Sequence, residues 1–323
     1  MTQAFRTIGI DIGGTAIKIA VVWNDGRVVE SRQIPTQADA GPEAAQARIL
    51  ACIAALQQAH GLESAAMRAL GMDSAGIIDS SNNLVLDAPN LRSWQRYPLA
   101  ARLGAALGVP AFLENDVNAM AYGEWHCGAG RGVRDLLCLT LGTGVGGGLV
   151  LNGELYRGAG GAAGEVGHMS LDRNGPRCAC GNFGCLERYV GAQYIVARAQ
   201  AMLERDPRSS SLRDVASNLI TPLVISQAAA AGDGIAAAVW EETGIWLGVA
   251  LASLVNVLNP ERIVIGGGVA RAGELLLAPA RRTILERAMA LPAARAEVVT
   301  AALGNDAAVV GAAMLALARA GVS

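Results

Sequence analysis

Aromatic side chains are scarce in this chain: Phe, Trp and Tyr together make up 4% of its 323 residues. A core built with so few of them relies on aliphatic side chains and on close backbone contacts, and 40 glycines suit that requirement. Excess charge is also missing. The formal net charge is −2 and no basic run stands out, so the electrostatic footprint of a nucleic-acid partner is absent. The first residues, MTQAFRTIGIDIGG, lack a charged region followed by an apolar run and a small-residue cleavage site, which predicts no secretory leader and a cytoplasmic protein. The most apolar stretch, residues 244–258, is too short for a bilayer and follows Glu241 and Glu242, so a buried helix is expected there and no membrane partner. No glycine-rich turn ends in Gly-Lys-Ser/Thr, which excludes a P-loop.

What is present is a chain rich in Ala and Gly, 52% hydrophobic and 17% charged, which excludes disorder. Its length is about twice that of a typical domain, so a two-lobed α/β protein with one active cleft is expected. Apolar β-branched runs at 8–11 and 16–23, separated by Gly13 and Gly14, predict an antiparallel hairpin. Strands at 28–34, 69–73 and 111–114 alternate with helices at 42–60 and 99–107. A second strand, glycine loop and strand at 136–151 echoes the opening hairpin, which suggests two related lobes. Beyond residue 188 helices dominate, at 193–204, 221–231, 234–259 and 274–289, with strands at 262–265 and 297–300. A last helix at 306–320 is expected to return to the first lobe.

Three glycine clusters are candidate nucleotide loops. In DIGGT, Gly13 and Gly14 let backbone N–H groups approach a phosphate, while Thr15 offers a hydroxyl and Asp11 a carboxylate for a hydrated magnesium; an ordinary hairpin turn explains the same glycines. Lys18 is read as a solvated strand residue rather than a phosphate partner. The run GTGVGGG at 142–148 matches G-x-G-x-x-G, but a strand follows where a dinucleotide fingerprint demands a helix, so Thr143 and Gly144 are instead expected to grip phosphates. Gly267 and Gly268, ending an apolar strand, suit either an adenosine lying flat against backbone or close helix–strand packing.

His168 is followed, after nine residues, by Cys178, then Cys180 and Cys185. One nitrogen and three sulfur ligands fill a tetrahedral shell and leave no open position, so the spacing predicts a structural zinc rather than a Lewis acid. Free thiols or a redox disulfide are the alternatives, the latter disfavoured by the absence of C-x-x-C. Cys52, Cys127 and Cys138 lie singly in apolar surroundings and read as core. If one ring nitrogen of His168 binds zinc, the other is fixed in tautomer and can meet a substrate hydroxyl, with Glu165 and Glu187 placed by the same clip.

Asp116 stands where an apolar strand gives way to a helix, the usual position for a ligand-facing residue, and also a natural N-cap. In a cleft, such a carboxylate can take a hydroxyl proton during phosphoryl transfer. Asn90 and Asn115 each carry a donor and an acceptor suited to the paired hydroxyls of a pyranose, though either can be a turn residue. With Glu165 and Glu187 they describe a pocket for a neutral polyol.

Together, DIGGT at 11–15, END at 114–116, LGTGVGGG at 141–148, GEVGH at 164–168, CACGNFGCLE at 178–187 and IGGGV at 265–269 resemble the ROK family of repressors, open reading frames and sugar kinases over nearly the whole chain. The resemblance implies the two-lobed actin-like ATPase fold shared with hexokinases. One lobe would hold residues 1–118 and 305–323, and the other 119–304. It further implies ATP with magnesium as phosphoryl donor, Asp116 as general base, and Asn90, Asn115, Glu165, His168 and Glu187 as sugar contacts. It points in style to glucokinases, and to a homodimer. Kinases for N-acylmannosamine, N-acetylglucosamine, allose or fructose use nearly the same motifs. Where relatives often have Pro-Gly after the strand ending near Asp73, this chain has Ser74-Ala75-Gly76; Gly76 is kept, in a turn that lies near the sugar in relatives. A regulator of the same family would need DNA-reading helices, and the phosphate hairpin standing at the very start leaves none expected.

Overall fold

The structure is a computed structural model that describes residues 5–63, 66–88 and 90–322. In chain order the strands are β1 (Arg6–Ile12), β2 (Ala16–Trp23), β3 (Val28–Pro35), β4 (Leu70–Ser74), β5 (Ile77–Asp79), β6 (Leu84–Asp87), β7 (Ala111–Asn115), β8 (Leu136–Leu141), β9 (Val145–Leu151), β10 (Glu154–Tyr156), β11 (Arg262–Gly266) and β12 (Glu297–Thr300). The helices are α1 (Pro42–His60), α2 (Leu99–Leu107), α3 (Asp116–Cys127), α4 (Glu187–Val190), α5 (Ala192–Arg205), α6 (Pro222–Ala230), α7 (Gly234–Leu258), α8 (Glu274–Arg287), α9 (Ala290–Arg295) and α10 (Ala307–Arg319).

The five-stranded sheets run β3-β2-β1-β4-β7 and β10-β9-β8-β11-β12, so one strand order occurs twice. In each, the first strand of the hairpin also pairs in parallel with a later strand, β1 with β4 and β8 with β11. This repeated α/β topology is the actin-like fold class implied by the motifs.

The chain divides into two compact units, residues 1–132, 148–163 and 302–323 in one and residues 133–147 and 164–301 in the other. Residues 119–132 and 148–163 therefore group with the first unit, whereas the motif-based division put them in the second. The reason is packing: α3 lies along α10, and Gly148 is so close to α3 that a Cβ there would stand 2.8 Å from the Val117 carbonyl oxygen.

In the first unit, alternation along β2 sends Ile17, Ile19 and Val21 to a core shared with Ile49, Ile53 and Leu56 of α1, while Ala20 and Val22 meet Val309, Val310 and Ala313 of α10. Burial on both faces explains why these strands read as continuous apolar runs. α1 starts with Pro42 at its first turn and stops at Gly61, whose left-handed conformation directs its N–H to the Gln57 carbonyl. α10 sits directly on backbone: a Cβ on Gly9 or Gly71 would stand 2.0 Å from the carbonyl oxygens of Val309 and Ala312 respectively. Buried Glu124 ties the end of α3 to the approach to α10, its carboxylate accepting from the N–H groups of Ala129, Ala302 and Leu303.

In the second unit, the apolar stretch foreseen at 244–258 belongs to a 25-residue helix, α7, long and apolar enough by composition to cross a membrane. Most of its apolar residues are used internally, although Val257 and Ile245 are exposed. Leu247, Leu251, Leu254 and Val255 are buried, and Gly244 and Gly248 sit against Pro279 and Thr283 of α8. Asp233 caps α7 by accepting from the N–H groups of Ile235 and Ala236.

The closest of the helix contacts is at Gly311, where an added Cβ would lie 1.7 Å from the Ala119 carbonyl oxygen. Gly311→Ala is expected to cost about 2–3 kcal/mol through overpacking of backbone that cannot yield. Gly160→Ala, with open space around it, is expected to stay within about 0.5 kcal/mol. Thermal unfolding of the two variants checks this.

Candidate active site and metal centre

The first unit gathers its candidate residues at the carboxyl ends of three parallel neighbours, β1, β4 and β7. The register sets Asp11, Asp73 and Glu114 side by side in one row, and Ile12, Ser74 and Asn115 in the next. The DIGGT turn is closed by the Gly13 N–H donating to the Ala16 carbonyl at 3.0 Å and braced by buried Thr36, whose hydroxyl donates to the Gly13 carbonyl at 2.6 Å. Gly14 and Thr15 stay exposed at its tip. Asn90 lies against this turn: a Cβ on Gly14 would stand 2.8 Å from the Asn90 Cβ. Lys18 is not the solvated strand residue expected. Its side chain is 12% exposed, pairs with Asp306 and donates to the Asn305 carbonyl at 2.9 Å, because the approach to α10 passes over β2.

Asp116 is the first residue of α3, and the helix cap is Asn115, not Asp116. The Asn115 Oδ1 accepts from the N–H groups of Val117 and Asn118 at 2.9 and 3.0 Å, while its Nδ2 donates to the Gly76 carbonyl at 3.0 Å. Gly76 holds a φ of 108°, and a Cβ there would stand 2.2 Å from the Asp87 carbonyl oxygen, so the turn requires glycine although the preceding proline of relatives is absent. The Asp116 Oδ1 accepts from the Val117 N–H at 2.9 Å, and the side chain is half-buried.

Three features of this frame escaped sequence reasoning. Glu114, with a side chain 3% exposed, receives the Nε and Nη2 of Arg157 on Oε2 at 2.8 and 2.7 Å, and its Oε1 accepts from the Asn115 N–H and the Asn118 Nδ2, each at 3.2 Å. Arg157 stands 43 residues away in sequence, where no local pattern links it to Glu114. Asp73 is fully buried, and no protein donor reaches either of its oxygens. Burial first, then the charges of Asp11 and Asp116, push its carboxyl well above the usual range. Asp11 is also raised by burial, offset by the Asp73 hydrogen bond and by Lys18. The signal in the sequence was an acid inside an apolar strand, LGMDS.

In the second unit the Gly142–Gly144 loop and the third glycine cluster come together. Gly267, at a φ of 85°, crosses the end of β8 so closely that a Cβ would stand 2.4 Å from the Leu141 carbonyl oxygen. Thr143, Gly144, Gly267 and Gly268 are all exposed beside this crossing. Glu187, at the start of α4, accepts the Val145 N–H on Oε2 at 3.0 Å and lies against Gly144. Glu165 is exposed, and its carbonyl accepts the His168 N–H at 3.1 Å across a single 3₁₀ turn.

His168, Cys178, Cys180 and Cys185 converge, with all their ligand atoms within 4.8 Å of one another. The His168 Nδ1 is 3.8 Å from the Cys178 Sγ, and the Cys180 and Cys185 sulfurs are 3.7 Å apart. Those separations equal the edge of a zinc tetrahedron with bonds of about 2.3 Å to sulfur. Backbone bonds from Cys178 N–H to the Asn182 carbonyl and from Gly181 N–H to the Cys178 carbonyl pre-shape the loop. Burial and then the adjacent Cys180 and Cys178 thiols push the Cys185 thiol up to about 12, a cost that a bound divalent cation reverses. The donor set therefore fits zinc.

Because the folded Asp73 carboxyl is raised, its contribution to stability is complete below the ordinary carboxylate value of 3.8 and is lost as pH climbs toward the raised one. Asp73→Asn keeps the shape and a donor toward Asp11 without that loss. The variant is expected to melt at a higher temperature than the parent at pH 8, with the gain vanishing near pH 4; equal melting profiles across this range would refute the assignment.

The profile of the ROK family matches residues 7–319. Over 306 residues the chain is 36% identical to a glucokinase of Halalkalibacterium halodurans, covering 94% of this chain and 92% of the relative. A Streptomyces coelicolor glucokinase is 36% identical over 317 residues, covering 96% of this chain and 97% of that protein. Among solved structures, a ROK family glucokinase from Streptomyces griseus in complex with glucose and AMPPNP superposes with a TM-score of 0.80 at 36% identity, covering 96% of this chain and 99% of the other. The likeness thus spans the residues of both units, and the chain belongs to the ROK family.

Proposed function

We propose that this protein is an ATP-dependent sugar kinase that phosphorylates a hexose, with glucose, taken at its 6-hydroxyl, as the first candidate. The observation that carries the mechanism is that Asn115, not Asp116, caps α3, while Asp116 opens the helix directly after the end of β7. Asp116, which follows the Asn115 that is tied to both Gly76 and Glu114, is the general base that draws the proton from the attacking hydroxyl. Phosphoryl transfer itself needs positioning and charge stabilisation more than covalent chemistry. For the nucleotide, the exposed DIGGT tip with Asp11, Gly13, Gly14 and Thr15 serves phosphate and hydrated magnesium, and Thr143, Gly144, Gly267 and Gly268 serve phosphate and adenosine. For the sugar, Asn90 and Asn115 in the first unit, beside the Gly76 turn, and Glu165, His168 and Glu187 in the second supply hydroxyl contacts.

His168, Cys178, Cys180 and Cys185 hold a structural zinc. With Nδ1 turned to the metal, the Nε2 of His168 is left for a sugar hydroxyl. The protein acts in the cytoplasm as a homodimer, with sugar and ATP as its partners and neither nucleic acid nor membrane among them. The support for this reading is the row of acids at the strand ends of the first unit, the open glycine loops of the second, and the glucokinase relatives.

Asp116→Asn is expected to lower kcat about 10²–10⁴-fold, the usual contribution of a general base, while sugar binding is retained. Initial rates across glucose, N-acetylglucosamine, N-acylmannosamine, allose and fructose identify the substrate. Sugar binding without sugar-stimulated ADP release would favour a non-catalytic member of the family instead. Metal analysis should find one zinc per chain, and Cys180→Ser should lose it and melt at a lower temperature; full metal content in that variant would remove Cys180 from the ligand set.

A further inference from the structure

The row of acids at the strand ends is neutralised unevenly. Lys18 serves the β1 end, acting on Asp11 while paired with Asp306. Asp73 in the middle has no donor. Glu114 at the β7 end receives two N–H groups from a single guanidinium, that of Arg157. An ion pair as enclosed as this one often contributes little net stability, because desolvation cancels most of the attraction. Its place in the fold points to another use.

Each oxygen of Glu114 has a separate task. Oε2 takes Arg157, while Oε1 accepts from the backbone N–H of Asn115 and the side chain of Asn118. Those two asparagines flank Asp116 in the first turn of α3. Arg157 is itself held from two sides: its carbonyl accepts the Ala163 N–H at 3.0 Å, closing the glycine-rich loop of residues 157–163, and its Nη1 donates to the Leu155 carbonyl at 3.4 Å. A Cβ on Gly161 of the same loop would stand 3.3 Å from the Ile78 carbonyl oxygen, next to the Gly76 turn that anchors Asn115. The guanidinium therefore connects a closed loop to the strand end from which Asp116 projects, by a fork that fixes direction as well as distance.

We propose that Arg157 is a positioning residue for the kinase reaction, acting through Glu114 to hold the first turn of α3 and thereby Asp116 in its reactive orientation. The inference rests on the kinase reading above and adds to it a residue outside the family motifs. Arg157 touches neither the reacting hydroxyl nor the phosphate in this role. Its loss lets Glu114 turn, which frees the Asn115 N–H and the Asn118 amide and displaces the base. A misplacement of about 1 Å can cost about 10²-fold in rate.

The test compares the parent with Arg157→Met, Arg157→Lys and the double variant Glu114→Gln/Arg157→Met, measuring kcat, the KM values for sugar and ATP, and the melting temperature of each. Arg157→Met should lower kcat about 10–100-fold with KM for the sugar changed less than about threefold, because ground-state binding does not depend on the base. The double variant leaves no unpaired buried charge, so its melting temperature should return toward that of the parent while kcat stays low. Arg157→Lys should keep the charge but lose the fork, recovering melting more than kcat. A double variant with kcat within about twofold of the parent would overturn the proposal, since the pair would then only neutralise buried charge. Should Arg157→Met fail to fold, the other two variants decide between the same outcomes. A parent enzyme without sugar-stimulated ADP release would instead overturn the kinase reading itself, which separates the two failures.

Discussion

The contact on which the first unit depends is backbone against backbone. α10 is laid onto β1 and β4 at Gly9 and Gly71, and onto α3 at Gly311 and Gly123, with no side chain able to fit between. Contacts of that kind bring carbon and oxygen atoms into dense packing without aromatic volume, which suits a chain so poor in aromatic residues. They also fix the site. With α3 held along α10 and its far end clipped by Glu124, the course of the helix is set, and with it the strand-to-helix junction that carries Asp116.

From that placement follows the division of labour among neighbouring polar groups. Asn115 takes the capping role and the anchor to Gly76, and Glu114 takes Arg157 and Asn118. Asp116 is half-buried, and its Oδ1 accepts the N–H of Val117. A carboxylate at a strand end that does not cap its helix is suited to exchanging a proton. Asp73, by contrast, is locked away beneath the site with Asp11 as its polar neighbour. Its burial draws on stability that the surrounding core supplies, and it keeps negative charge from accumulating where a triphosphate would sit.

The second unit solves a different problem. Residues 168–185 contain little apolar material and only isolated bridges between Ser170 and Cys185 and between Arg177 and Phe183. A loop of this sort lacks a core of its own, and a metal held by His168 and the three cysteines would supply the missing constraint. The same constraint would orient the histidine ring, so one donor cluster would set both the loop and a candidate substrate contact.

The strand and helix pattern, the repeated hairpin, the four candidate metal ligands and the position of Asp116 at a strand-to-helix junction were all legible in the linear sequence. They depend on residue type and local spacing, which periodicity and ligand geometry translate directly. The sequence offered Asp116 as the natural cap of α3, where the structure uses Asn115, and it misjudged Lys18, whose partners Asn305 and Asp306 stand far along the chain. It was silent on the Arg157–Glu114 pair and on the donorless burial of Asp73. Sequence order records which side chains exist, and so determined the chemistry on offer. Which of them are spent on capping, which are neutralised and which stay free was decided only when residues dozens to hundreds of positions apart met, since desolvation and hydrogen bonding act over a few ångströms of space and not along the chain.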